Sequence, residues 1–208
     1  MCYNKEISLA VYLTTSVISL ILYLIGDKYD KHIALFSIVF IHMQLVEYFM
    51  WSDQSCGKIN HYATELGHYL LLLQPFFLLC LGILFQTFTI SNKYVLICVL
   101  ITMIPFFEKL FTKPRKRCSK GKVNDHLNWD MNGSILTIFI YMGFLFIPWL
   151  FLKNKQKGIA MFLLTLLTLI LSHFNTLKKT DFKSFWCFIG TFAPLFIIIL
   201  NKLNSLKL

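Results

Sequence analysis

The sequence predicts an all-α, polytopic integral membrane protein: a bundle of seven transmembrane helices forming one membrane domain over residues 1–208. Three observations predict it. Hydrophobic residues make up 57% of the chain and charged residues 14%, against about 45–50% and about 25% in an ordinary soluble domain. Mean hydropathy is +0.65. Seven stretches approach the roughly 20 apolar residues that a spanning helix needs. This composition argues against cytosolic enzymes, disordered tails and small secreted disulfide scaffolds.

The first stretch, 7–26, has no basic run before it and no small-residue cleavage site after it, so it reads as a span and not as a cleaved signal peptide. The second, 33–51, carries His42, Gln44 and Glu47; Gln44, Glu47 and Trp51 share one helical face at i, i+3, i+7. The third, 62–86, begins beside His61, continues through Glu65 and His68 on the same face, and holds Gln74-Pro75 at its middle. The fourth, 94–112, contains Pro105 and Glu108. Stretches 134–152, 158–175 and 184–200 complete the set, with Pro148 and Pro194 inside the fifth and seventh. Such prolines free backbone carbonyls and can kink a spanning helix. The connections are short and leave no room for a soluble domain.

Seven spans put the termini on opposite faces. Side A, the N-terminal face, carries 52–61, 113–133 and 176–183; side B carries 27–32, 87–93 and 153–157. Basic residues number 11 on side A and 8 on side B, and the excess rests on the run from Lys113 to Lys122. The positive-inside rule counted over all loops would make side A cytoplasmic; counted around the first span, with Lys5 before it and Lys28 and Lys31 after it, the rule reverses. Cysteines side with the first span. Cys2, Cys56, Cys118 and Cys187 all fall at side A, as thiols placed for disulfides on an oxidising face would. The expected orientation is N-terminus outside or lumenal.

Ionisable residues inside a bilayer are costly and mark water-filled cavities or ion paths. Here they gather in the side-A half, and the side-B half reads as nearly bare of them. A polar cavity on side A is expected from His42, Gln44, Glu47, Glu65, His68, Gln74, Glu108, His126 and Asp130. The function this suggests is movement of a small solute or ion, a proton included. Two other readings stand beside it. His61, Glu65 and His68 on one face supply N and O donors that suit zinc, which would make a membrane-embedded, metal-dependent hydrolase. The spacing departs from the H-E-x-x-H pattern, so no cofactor is predicted in the first reading. The bland reading is a structural membrane protein whose polar residues are interfacial. The seventh span has no internal lysine for a retinal Schiff base, and no span carries an arginine ladder for voltage sensing. The basic run has no nucleic-acid motif beside it. Expected partners are the lipid bilayer, the small solute or ion and further copies of the chain in a homo-oligomer; no nucleic acid is expected.

Met1-Cys2, Glu47-Tyr-Phe-Met-Trp51, Cys56, Asn60, Gln74-Pro75, Asp125-His-Leu-Asn-Trp129 with Asn132, and Ser184-Phe-Trp-Cys187 resemble the motifs of a family of uncharacterised small polytopic membrane proteins of large DNA viruses and algae. Lys183 stands where that family carries a glycine. The resemblance brings no activity; it implies a virion or host endomembrane location and the structural envelope or assembly role as a rival function. The scarcity of arginine (Arg115 and Arg117 only) and of alanine suits an AT-rich source.

Overall fold

The computed structural model describes residues 4–111, 116–121, 127–130, 135–176 and 191–205. It is built from helices α1 (Lys5–Ile25), α2 (Lys28–Ser52), α3 (Lys58–Leu84), α4 (Asn92–Thr102), α5 (Ile104–Phe111), α6 (Ile135–Leu150), α7 (Lys155–Thr176) and α8 (Ala193–Ser205). One short antiparallel strand pair, β1 (Lys120–Gly121) and β2 (Leu127–Asn128), lies between α5 and α6. Four helical stretches are long and apolar enough to cross a membrane: α1, α2, α3 and the α4–α5 pair; α6 and α8 are shorter apolar helices.

α1 and α2 form a hairpin with only Gly26 and Asp27 between them. Asn4 caps α1, its Oδ1 accepting from Ile7 N at 2.8 Å. Asp27 and Asp30 form a capping box on α2. Gly26 is required by crowding: a Cβ there would stand 2.2 Å from Asp30 Cβ and 2.5 Å from the Leu22 carbonyl oxygen. α1 buries a stripe of small polar residues, Ser8, Thr15 and Ser19, with Leu22; small residues let membrane helices approach closely. Its other faces expose Leu13, Val17, Leu20 and Leu24, as a lipid-facing helix does.

α2 is the central helix. It packs on α1 and α3 and meets α8, and its buried residues cover most of its circumference, so no narrow apolar stripe is needed. α2 and α3 run antiparallel in a register fixed at both ends. Asn60 Nδ2 donates to the Met50 carbonyl at 2.9 Å, and His32 Nε2 lies 3.0 Å from the Leu78 carbonyl. Eighteen residues separate the two contacts on each helix, so Glu47 lies at the level of Ala63 and Gln44 at the level of Leu66.

The fourth predicted span is a broken helix. α4 ends at Thr102 and α5 begins at Ile104, because Pro105 has no N–H and disfavours helical backbone in the residue before it. The chain between α3 and α4 pairs with the α6–α7 joint: Thr89 N donates to the Phe151 carbonyl and Lys153 N to the Thr87 carbonyl, both at 2.8 Å. Gly82 seats this joint, since its missing Cβ leaves room for the Phe88 ring. The core centres on Trp149, packed edge-on to Phe36 at 5.6 Å between ring centroids and tilted against His32.

Candidate functional site

The side-A ends of α2 and α3 carry a polar network, covered by the segments 116–121 and 127–130. The linker between these helices turns at Cys56, whose φ of 64° is left-handed, a region that residues other than glycine visit rarely. Asp53 orders the linker. Its carboxylate accepts from Ser55 Oγ at 2.7 Å, Gly57 N at 3.1 Å and Asn60 N at 3.2 Å, and so supplies the cap that Gly57 cannot give α3. Those donors, Ser55 first, hold the Asp53 carboxyl below the usual aspartate range.

A disulfide between Cys56 and Cys118, Cα atoms 5.3 Å apart, fastens the overlying segment. Asn60, fully buried, fastens it a second time. Its amide donates to the carbonyls of Met50 and Ser119, and its Oδ1 accepts from Ser119 N at 2.9 Å. Thr64 donates to Ser119 Oγ at 3.0 Å, and Gly121 N to Gln54 Oε1 at 2.7 Å. Gly121 also lies flat on the Trp51 ring, where a Cβ would have no space.

Charges meet beneath this cover. Glu65 pairs with Lys109 Nζ at 2.7 Å and with Arg117 Nε at 2.5 Å. Arg117 donates to the Asp130 carbonyl at 2.7 Å, and Cys118 N donates to Asp130 Oδ2 at 3.2 Å. Two buried cations thus converge on the half-buried Glu65 carboxylate, and pairing of this kind is the condition under which buried charge is tolerated. Across from it on α2, Glu47 is fully buried and its Oε1 accepts from Trp129 Nε1 at 3.0 Å. Gln44 is fully buried on the same face of α2, and His68 is buried on α3. Deeper still, Gln74 Oε1 accepts from Tyr141 on α6 at 2.7 Å, while the buried Gln74 Nε2 has no hydrogen-bond partner among the described residues.

Of the residues expected to line a side-A cavity, Glu65 holds the two cations, Asp130 meets Arg117 through its backbone carbonyl, and Gln44, Glu47, His68 and Gln74 are buried. Glu108 stands apart, accepting from Thr137 of α6 at 3.1 Å. His42 turns to the other side of α2, its Nδ1 2.6 Å from the Ile38 carbonyl and its ring edge-on to Tyr12 of α1. His126, Cys2 and Cys187 lie outside the described residues. For the metal reading, His61 Nδ1 accepts from Arg117 N at 3.1 Å and Glu65 holds two cations. Among the described residues no group of three His, Cys, Asp or Glu is placed to hold a metal ion.

Side B corrects the sequence reading. It is not bare: Lys157, buried, pairs with Asp30 at 2.6 Å and Asp27 at 3.0 Å, and Asn201 donates to Asp30 at 3.0 Å. Burial alone would raise the Asp27 carboxyl, but the Asp30 N–H, the Lys157 ammonium and the Tyr29 N–H together hold it below the usual range. His32, fully buried, adds a contact to Thr87 Oγ1 at 2.9 Å. The reason is helix length. α2 starts at Lys28, α7 at Lys155, and α8 runs to Ser205, so charges expected in solvated loops lie on helix ends packed together. Asn60, Thr64, Lys109, Arg117, Ser119 and Trp129 were also missed as site members. The sequence offered for them only Asn60 and Trp129 among the motif residues, Arg117 in the basic run, and proximity to Cys56 and Cys118.

No family model, curated protein or solved structure matches this chain. Its functional reading therefore rests on the geometry.

Proposed function

We propose that the protein is a seven-helix bundle, N-terminus on the extracytoplasmic or lumenal side, that moves a small solute or ion across its membrane. The observation that carries this is the set Gln44, Glu47, His68 and Gln74, all buried on helices apolar enough to span a bilayer. Buried intramembrane acids and amides are expensive and mark paths for polar cargo. Gln74 Nε2 adds support: a buried amide N–H without a partner costs about 1–3 kcal/mol, and a passing acceptor or water offsets that cost. Gln74 precedes Pro75, where α3 lacks a backbone donor, as in the interrupted helices that form transporter sites. The route from side A to Glu47 runs past Trp129, so the disulfide-anchored segment is the outer barrier. The disulfide supports the orientation, since such bonds persist on oxidising faces.

The test is flux in proteoliposomes across a panel of protons, alkali cations, halides and small neutral solutes. Transport of one of them, lost in Glu47→Gln while the protein still elutes as the native species, is the expected result. Absence of flux for every member overturns the reading. A structural role is the second reading, favoured by how thoroughly the charges on both ends neutralise one another.

A further inference from the structure

We propose that the side-B half of the face formed by α3, α4 and α6 is a binding site for one anionic phospholipid. Its acyl chain would lie in a groove between these helices and its phosphate on Lys93 and Lys153. The proposal is independent of what the protein transports.

The groove holds about 310 Å³ and is lined by apolar side chains, among them Leu79, Phe88, Phe139, Ile147 and Phe151. That volume is near the lower end for small-molecule sites, about 300–1,000 Å³. Two features of α6 open it. Gly143 adds no side chain, and a Cβ there would meet nothing closer than Ile147 Cδ1 at 4.0 Å. Pro148 frees a carbonyl where the helix nears its end. From Phe139 to Phe151 the groove runs about 18 Å at 1.5 Å per residue. One leaflet of a bilayer is about 15 Å of hydrocarbon, half of the whole core. The groove therefore spans one leaflet from its interface to its middle, which is the reach of a single acyl chain and longer than most drug-like ligands need.

The head-group end is basic. Lys153 follows Phe151 by two residues, and Lys93 follows the groove residue Ile90 by three; both are exposed. Lys153 Nζ donates to the Gln86 carbonyl at 3.1 Å, which fixes the ammonium beside the joint between the α3–α4 and α6–α7 connections. The acids of this end, Asp27 and Asp30, are both paired with Lys157, so no carboxylate among the described residues offsets the two exposed lysines. An apolar slot of one-leaflet length below two exposed lysines matches a lipid with a negative head group. Anionic lipid is concentrated in cytoplasmic leaflets, which agrees with side A being the oxidising face.

The experiment is native mass spectrometry of the purified protein released from nanodiscs of equal phosphatidylglycerol and phosphatidylcholine. One retained phospholipid, mostly phosphatidylglycerol, is expected. Gly143→Leu fills the slot and should lower retention at least about ten-fold. Lys93→Gln and Lys153→Gln should leave total retention near normal, each weakening the anionic preference about five-fold, the effect of one basic residue at an anionic surface. Equal retention of both lipids, or unchanged retention in a normally eluting Gly143→Leu, overturns the proposal. A second readout does not depend on that variant. Cys98 lines the groove; in a background with Cys2, Cys80 and Cys187 all changed to Ser, its modification by a membrane-soluble maleimide should slow as phosphatidylglycerol replaces phosphatidylcholine. A rate insensitive to that exchange overturns the proposal equally.

Discussion

The two ends of the bundle solve one problem by different means. Each sets an acid against a buried cation: Glu65 against Lys109 and Arg117 on side A, Asp30 against Lys157 on side B. On side B all partners ride on helix ends, so the pairing follows from helix packing. On side A the Arg117 partner comes from a segment outside the helices, and it is held by a covalent bond, by Asn60 and by a strand pair. The lesson is that a buried charge can be secured by extending helices or by tying down a loop. Only the second depends on redox conditions.

The largest effect should come from side B. Lys157→Ala leaves Asp30 buried without its cation and should cost about 3–5 kcal/mol, read as a fall in the melting temperature in detergent. Replacing both partners by apolar residues of similar volume should recover most of the loss. If Lys157→Ala melts like the wild type, the two ends are not equivalent in energy.

Next comes the disulfide. Cys56→Ser should cost about 2–4 kcal/mol. A thiol reductant should lower the melting temperature of the wild-type protein to that of Cys56→Ser and leave the variant unmoved. Equal sensitivity of both proteins would mean that the reductant acts elsewhere.

A smaller effect should follow pH. The Asp53 carboxyl is held below its ordinary range, so its contribution is fully present above the unfolded value of about 3.9 and is lost as pH falls through the lower folded value. Melting curves on acidification should show an extra loss in wild type that Asp53→Asn lacks. The smallest effect belongs between the ends. Tyr141→Phe removes the bond to Gln74 and should cost about 1 kcal/mol; a shift as large as that of Lys157→Ala would move the centre of stability away from both ends.

Much of side A was legible in the sequence. Cys56 and Cys118 fall on one face of the predicted topology and are bonded. The i, i+3 spacing places Gln44 and Glu47 together, and both are buried. The apolar helices agree with the membrane class read from composition, and the break between α4 and α5 with Pro105. Side B was not legible, because Asp30 and Lys157 lie 127 residues apart and charges flanking an apolar stretch read as solvated until the helices are known to extend through them. Nor was Asn60, since nothing local tells an amide which chain it will meet 59 residues later. His42 was misjudged because a helical residue with polar neighbours at i+2 and i+5 can still point to a different neighbour, here Tyr12.

The matched register of α2 and α3 constrains motion. Sliding α3 by one residue along α2 displaces it about 1.5 Å and breaks the contacts at Met50 and at His32 together, one at each end of the pair. The disulfide adds a covalent stop beside the first. These two helices are therefore fixed against each other along their length. Relative movement is left to the elements packed beside them, and the helix break at Met103, between α4 and α5, lies in one such element.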